Sequence, residues 1–227
     1  MSTEPPRVAV LPDMEDTRRL VDLTSHASDL SEASHTLAQA FQAGEESPLW
    51  VPLTSHAVTA YTRPFILSNV RSRLDEMPGI TAVPTVLKPV HDLVRKYRNT
   101  TVAHSQSDLT MPVPVAILDA AGQAVDVIGV SVIQPMPRVI AEQFHSLISA
   151  MEDIVDQATE PVRGRLRAWS KQQGPENISR WERPELIHAA DTDFTAARKR
   201  KRTPRHTSYW RVECLSSGQQ PDEGLIG

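Results

Sequence analysis

Arg98 and Asn99, with His104 six positions after the arginine, are the grouping in this 227-residue chain whose types and spacing suit chemistry. A histidine exchanges a proton near neutral pH, and an arginine holds a permanent charge on a planar fork. Together they can assist attack on a phosphodiester by general acid–base means without a metal. On an ideal helix, side chains six residues apart point ~120° from one another at about 100° per residue. They would flank one groove without touching, unless the helix frays or a second copy of the chain completes the site. The structural alternative is a helix end whose histidine only complements the dipole.

The segment that carries them opens at Pro84, and Leu87, Val90, Leu93, Val94, Tyr97 and Thr101 recur along it at helical spacing. Lys88, His91, Arg95 and Lys96 fall on the opposite side, with Arg98 on its flank. Before it, Leu20, Leu23, Ala27, Leu30, Ser34, Leu37 and Phe41 predict one long helix over 14–43, stopped by Gly44. Ser47-Pro48 predicts the start of a second, with Trp50, Leu53, Ala57, Ala60 and Tyr61 as its apolar stripe. Pro64 should kink or end it, with Phe65, Ile66 and Val70 continuing the face up to a loop at Met77-Pro78-Gly79.

After the motif the period changes to two. Val113, Val115 and Ile117 alternate, Asp119 to Gly122 supplies turn residues, and Val125 to Val132 returns with a slip at 127/128 that predicts a bulge. Pro112 and Pro114 assign the first strand to an edge. Ile140, Phe144, Leu147, Met151, Ile154 and Ala158 then predict another long helix, and Thr159-Glu160-Pro161 a fresh start carrying Val162, Leu166 and Trp169 as far as Gly174. The expected fold is mainly α, an up-and-down bundle of four or five helices with an inserted β-hairpin at 113–132. Residues 1–13 form a lead-in, 14–173 the helical domain, and 174–227 an irregular basic appendage.

The stretch His-Asp-Leu-Val-Arg-Lys-Tyr-Arg-Asn-Thr-Thr-Val-Ala-His-Ser (91–105) resembles the signature of the HEPN superfamily, the higher eukaryote and prokaryote nucleotide-binding domains. Arg98, the polar Asn99 and His104 match its Arg-polar…His motif at the end of a third bundle helix. Ala103-His104-Ser105 and the upstream Tyr61-Thr62-Arg63-Pro64-Phe65 bring the resemblance closest to the abortive-infection branch. It covers about 16–160 and extends no function to the hairpin.

The resemblance implies a metal-independent endoribonuclease of a bacterial defence or toxin–antitoxin type, acting at a cleft between two copies whose motifs face each other. In it His104 would move a proton at the ribose 2′-hydroxyl or the leaving oxygen, Arg98 would stabilise charge on the phosphate, and Asn99 would orient the site. His91, Arg95, Tyr97 and Ser105 would line the same groove. RNA, a second copy of the chain and a cognate antitoxin are the partners expected, with no cofactor and no metal. The alternative is a non-catalytic helical dimer that binds nucleic acid or a protein partner.

Composition fits this frame. Residues 1–173 hold 15 Lys/Arg against 20 Asp/Glu, whereas Thr195 to Val212 hold seven basic residues and no acid. Within that run Arg198, Lys199, Arg200, Lys201, Arg202 and Arg205, with Trp210 to stack a base, are candidate RNA contacts; a solvated tail is the plainer reading. The single cysteine, Cys214, allows no intrachain disulfide, and the histidines show no metal spacing and are expected on helix surfaces. No apolar run reaches the ~18 residues of a membrane span. A cytoplasmic chain without a membrane partner is expected.

Overall fold

Leu23, Leu30, Ala33, Leu37 and Ala40 recur at helical spacing and are fully buried along α1 (Glu15–Ala43). The structure, a computed structural model, describes residues 8–103 and 109–183 and the backbone of 186–188 and 207–209. It is mainly helical with a small two-stranded antiparallel sheet. At the start of α1, Thr17 Oγ1 accepts the Met14 N–H at 2.8 Å. Its C-terminal end is closed by Gly44 at φ +88°, a left-handed conformation that a side chain would strain, with the Gly44 N–H on the Ala40 carbonyl.

Helix α2 (Trp50–Thr62) buries Trp50, Ala57, Val58, Ala60 and Tyr61, and Trp50 Nε1 donates to the Met136 carbonyl at 2.8 Å. Pro64 ends it through a 3₁₀ turn, Arg63–Phe65, after which Ile66 is extended. The apolar face does not continue past Phe65: Ile66 and Leu67 are exposed in an irregular segment. Helix α3 (Lys88–Tyr97) follows, then the hairpin strands β1 (Thr110–Leu118) and β2 (Ala124–Ile133), α4 (Arg138–Gln172) and a short α5 (Pro175–Ser179). Two three-residue strands, β3 (Leu186–His188) and β4 (Thr207–Tyr209), pair in parallel. α1 packs on α2 and α4, and α3 packs on α2 and α4.

Helix α4 runs unbroken through Pro161, where the sequence predicts a new start. Pro161 lies on the exposed side, so the carbonyl it leaves unpaired faces water. The roughly 3 kcal/mol cost of an interior proline is offset by burying Val162 and Leu166 on the next turns, worth about 1.5–3 kcal/mol each. Beyond Leu166, Trp169 stacks on Trp181 at 5.4 Å with rings 8° apart, and Arg165 forks onto Asp16 of α1.

One face of α1 carries buried polar groups. Asp29 is shared by Arg71 and Arg63, Arg63 reaches Glu32 at 2.6 Å, and Glu32 accepts from His56 at 2.7 Å. These pairs hold the 66–73 segment and the end of α2 against α1. His26, expected on the surface, is fully buried in this region, with Nε2 3.0 Å from the Ser72 carbonyl and Nδ1 without a partner. An imidazole in its neutral form presents the single N–H that this site uses, which is why a helix-face histidine is accepted here.

Burial, then the nearby Arg71 charge, pull His26 down from the usual 6.5 to about 4, against the opposing effects of the Ser72 carbonyl and Asp29. Between those values the unfolded chain binds a proton that the folded chain refuses, so stability falls as pH falls through this window. Lowering pH from about 7 to about 5 should cost about 2 kcal/mol through this residue. Urea unfolding at the two pH values checks it: His26→Gln, which keeps a donor for Ser72 but does not titrate, should lose most of that difference.

Candidate functional site

The sequence Arg98-Asn99-Thr100-Thr101-Val102 is poor in helix formers, with an Asn, two Thr and a Val in succession. Thr100 Oγ1 bonds back to the Lys96 carbonyl at 3.0 Å, a competitor to the regular helical ladder. The helix responds by widening: Arg98–Val102 form a π-helical segment closed by the Ala103 N–H on the Arg98 carbonyl at 2.8 Å. Such wide turns are rare and concentrate at functional positions. This one begins at the arginine of the motif.

Arg98 Nη1 donates to Asn99 Oδ1 at 3.1 Å. Arg98 is half-buried and Asn99 exposed. Arg98 has no carboxylate partner among the described residues, in contrast to Arg18, Arg63, Arg71, Arg73, Arg138 and Arg165. Its guanidinium is oriented by a neutral amide and meets no described carboxylate, as suits an anion-binding arginine. His104 and Ser105 lie outside the described residues, as do Arg198 to Arg202, Arg205 and Trp210.

His91, Arg95 and Arg98 stand at i, i+4 and i+7 on one stripe of the helix. The sequence sets His91 on the polar side opposite the core, but it is only 4% exposed, while Leu93, assigned to the core face, is exposed. The packing face of α3 is therefore rotated toward His91 and Val94. The reason is Tyr61: its hydroxyl is 2.7 Å from His91 Nδ1, in a buried contact between α2 and α3. Burial pushes the Tyr61 hydroxyl far above its usual range, against the opposing Arg95 charge, so it stays protonated and holds the ring through one shared proton. Burial followed by the Arg95 charge lowers His91, which favours the neutral ring.

A cavity of about 250 Å³ opens beside this ring, with Phe65, Ile80 and Val83 on its apolar side and Asp75, Lys88, His91 and Arg95 on its polar side. Lys88 is held by Asp92, one turn along α3. Arg98 and Asn99 do not line this cavity. Tyr97 turns the other way, hydrogen-bonded to Ser55 on α2, with burial raising its hydroxyl. The structure thus brings His91 and Arg95 together, continues their stripe to Arg98 and Asn99, and separates Tyr97 from them. A larger open cleft, about 450 Å³ between α1 and the 66–73 segment, is lined by Arg18, Arg71 and Arg73 and holds none of the candidate site residues.

Sequence reasoning missed Tyr61 as the partner that fixes His91. The signal was present, because a tyrosine inside an apolar helical stripe must find a hydrogen-bond partner when buried. Among the described residues no group of three or more His, Cys, Asp or Glu could hold a metal ion. No described helix is long and apolar enough to cross a membrane. No protein-family model, curated protein or solved structure matches the chain.

Tyr61→Phe leaves a buried ring nitrogen without its partner and should destabilise the protein by about 1–3 kcal/mol. Denaturant unfolding measures it. The pair is coupled, so Tyr61→Phe should cost much less in a His91→Phe background; equal costs in the two backgrounds would show that the bond contributes nothing.

Proposed function

We propose that this protein is a metal-independent endoribonuclease with a HEPN-like up-and-down helical bundle, active as a homodimer in which two copies of the Arg98…His104 motif share a cleft. The observation that carries the reading is the π-helical turn at Arg98–Val102, which holds an arginine bonded to no described carboxylate and an exposed Asn99 at the end of α3. The stripe from Arg95 to Arg98 supplies positive charge along one line, the form in which a phosphate backbone is neutralised.

The proposed reaction is transesterification. His104 takes the proton of a ribose 2′-hydroxyl, and the 2′-oxygen forms a bond to phosphorus as the bond to the 5′-oxygen breaks. The leaving oxygen takes up a proton, giving a 2′,3′-cyclic phosphate and a 5′-hydroxyl. Arg98 stabilises the charge gathering on the non-bridging oxygens, and Asn99 holds its fork in place. His91, held by Tyr61 and lowered by burial, is not the proton carrier at neutral pH. The basic run at 198–205 with Trp210 extends the RNA contact. Defence against phage or a toxin–antitoxin pair, in the cytoplasm and with a cognate antitoxin, is the biological setting this chemistry suits.

Single-stranded RNA incubated with the purified protein in excess chelator should be cut to 2′,3′-cyclic phosphate ends. Arg98→Ala and His104→Ala should each lower the rate by at least about 10²-fold, the usual contribution of one acid–base or charge-stabilising group. Cleavage undiminished in both variants would end the catalytic reading.

A further inference from the structure

The cavity beside His91 combines features that one class of occupant explains together. At about 250 Å³ it exceeds the roughly 150 Å³ that takes up benzene, so a planar ring system fits and the rest of a larger ligand projects from the mouth. Phe65, Ile80 and Val83 give it an apolar side against which such a ring can lie. The irregular wall at 80–83 carries free backbone. The Ile80 N–H donates to the Met77 carbonyl at 3.3 Å, but Thr81, Ala82 and Val83 make no hydrogen bond with any described residue. A ring seated beside them has N–H and C=O groups within reach of its polar edge.

The charged groups around the cavity are not equivalent. Lys88 is engaged by Asp92, and Asp75 by the fork of Arg73, whose Nε donates to Oδ1 at 3.0 Å. Arg95 is half-buried and makes no hydrogen bond or ion pair with a described residue. A free guanidinium beside an apolar cavity suits an anionic group on a ligand whose body is planar and apolar. Asp75 keeps acceptor capacity beyond what Arg73 uses, since an ionised carboxylate offers about four lone-pair sites. It favours a ring that presents an N–H donor and disfavours one that presents a carbonyl in the same place. A simple aromatic acid would satisfy Arg95 and leave Asp75 and the 80–83 backbone without partners. Ring, donor edge and anion together describe a nucleotide.

We infer that this cavity is a base-reading subsite: it holds the nucleobase of the nucleotide beside the cut, with Arg95 on the adjoining phosphate, and prefers bases that carry an exocyclic amine. The inference rests on the ribonuclease reading for its place beside the cut, though not for the binding itself. Arg95 and Arg98 are three residues apart on one stripe, where Cβ atoms lie about 5–6 Å from each other, so a strand that leaves the cavity over Arg95 meets Arg98 at its next phosphate. Single-stranded RNA is read in this manner, by bases splayed out of the stack and bonded along their edges. Asp75 and Arg95 then decide which nucleotide is accepted, and Arg98 acts on the bond that breaks.

Calorimetric titration of the full chain in excess chelator tests it. The probes are cytidine and uridine monophosphates, which differ by an amine or a carbonyl on the base, the adenosine and inosine monophosphates, which differ likewise, and ribose 5-phosphate, which has the charge and no base. In at least one pair the amine-bearing nucleotide should bind about fivefold or more tightly than its carbonyl partner, and about tenfold or more tightly than ribose 5-phosphate. Asp75→Asn, which offers a donor as well as an acceptor, should erase the preference within that pair. Arg95→Gln should weaken the nucleotide about tenfold and leave the nucleoside without phosphate unaffected. Asp75 is exposed and Arg95 half-buried, so both variants should fold. No nucleotide binding at millimolar concentration, ribose 5-phosphate binding as tightly, no preference within either pair, or affinities unmoved by both variants would each overturn the proposal. RNA cleavage on the same samples separates the two readings: nucleotide binding by a chain that cuts no RNA refutes the chemistry and leaves the base site, and cleavage without nucleotide binding does the reverse.

Discussion

The hydrogen bond between the Tyr61 hydroxyl and His91 Nδ1 is the constraint on which the position of α3 depends. Tyr61 is fully buried and its ring meets Phe65, His91 and Phe144 at centroid distances of 5.3, 5.9 and 5.2 Å. One side chain of α2 thus contacts the 3₁₀ turn, α3 and α4. The hydroxyl of a buried tyrosine cannot be left without a partner at a cost of less than about 1–3 kcal/mol. That cost selects the rotation of α3 that brings His91 inward, and the same rotation turns Leu93 out and carries Arg95 and Arg98 to one side. The cationic stripe is a consequence of how a core polar pair is satisfied.

The same segment of α2 holds the fold together on its other flank. Tyr61-Thr62-Arg63-Pro64-Phe65 carries part of the resemblance, and each of its members has a structural task. Arg63 bridges Asp29 and Glu32 on α1, Pro64 ends the helix, Phe65 packs its ring 4.8 Å from that of His91, and Thr62 bonds back to the Val58 carbonyl. A partly exposed arginine shared by two carboxylates contributes modestly, but Arg71 and Asp29 are largely buried, where removing one partner strands the other's charge. The pentapeptide is therefore accounted for by packing alone, and it adds nothing to the case for catalysis.

What the sequence made legible follows from which forces act locally. The stripes of α1 and α4 were readable because burial acts along one face at a fixed period, and Leu30, Leu37, Phe144, Leu147 and Met151 are in the core where that period puts them. Pro161 misled because local propensity counts its cost and not the gain from Val162 and Leu166. His26 and His91 misled for a related reason: neutral imidazole is cheap to bury once a single partner is supplied, and those partners, Ser72 and Tyr61, are 46 and 30 residues away. The ladder slip sits between Ile117 and Leu118, with Val125 as the extra residue, and not at 127/128. Asp119 accepting from the Ala121 and Gln123 N–H groups fixes the turn and so the register. Of the site, Arg98, Asn99, His91 and Arg95 were named from residue type and spacing, whereas the π turn was not, because its cause is a choice among carbonyl partners that periodicity does not record.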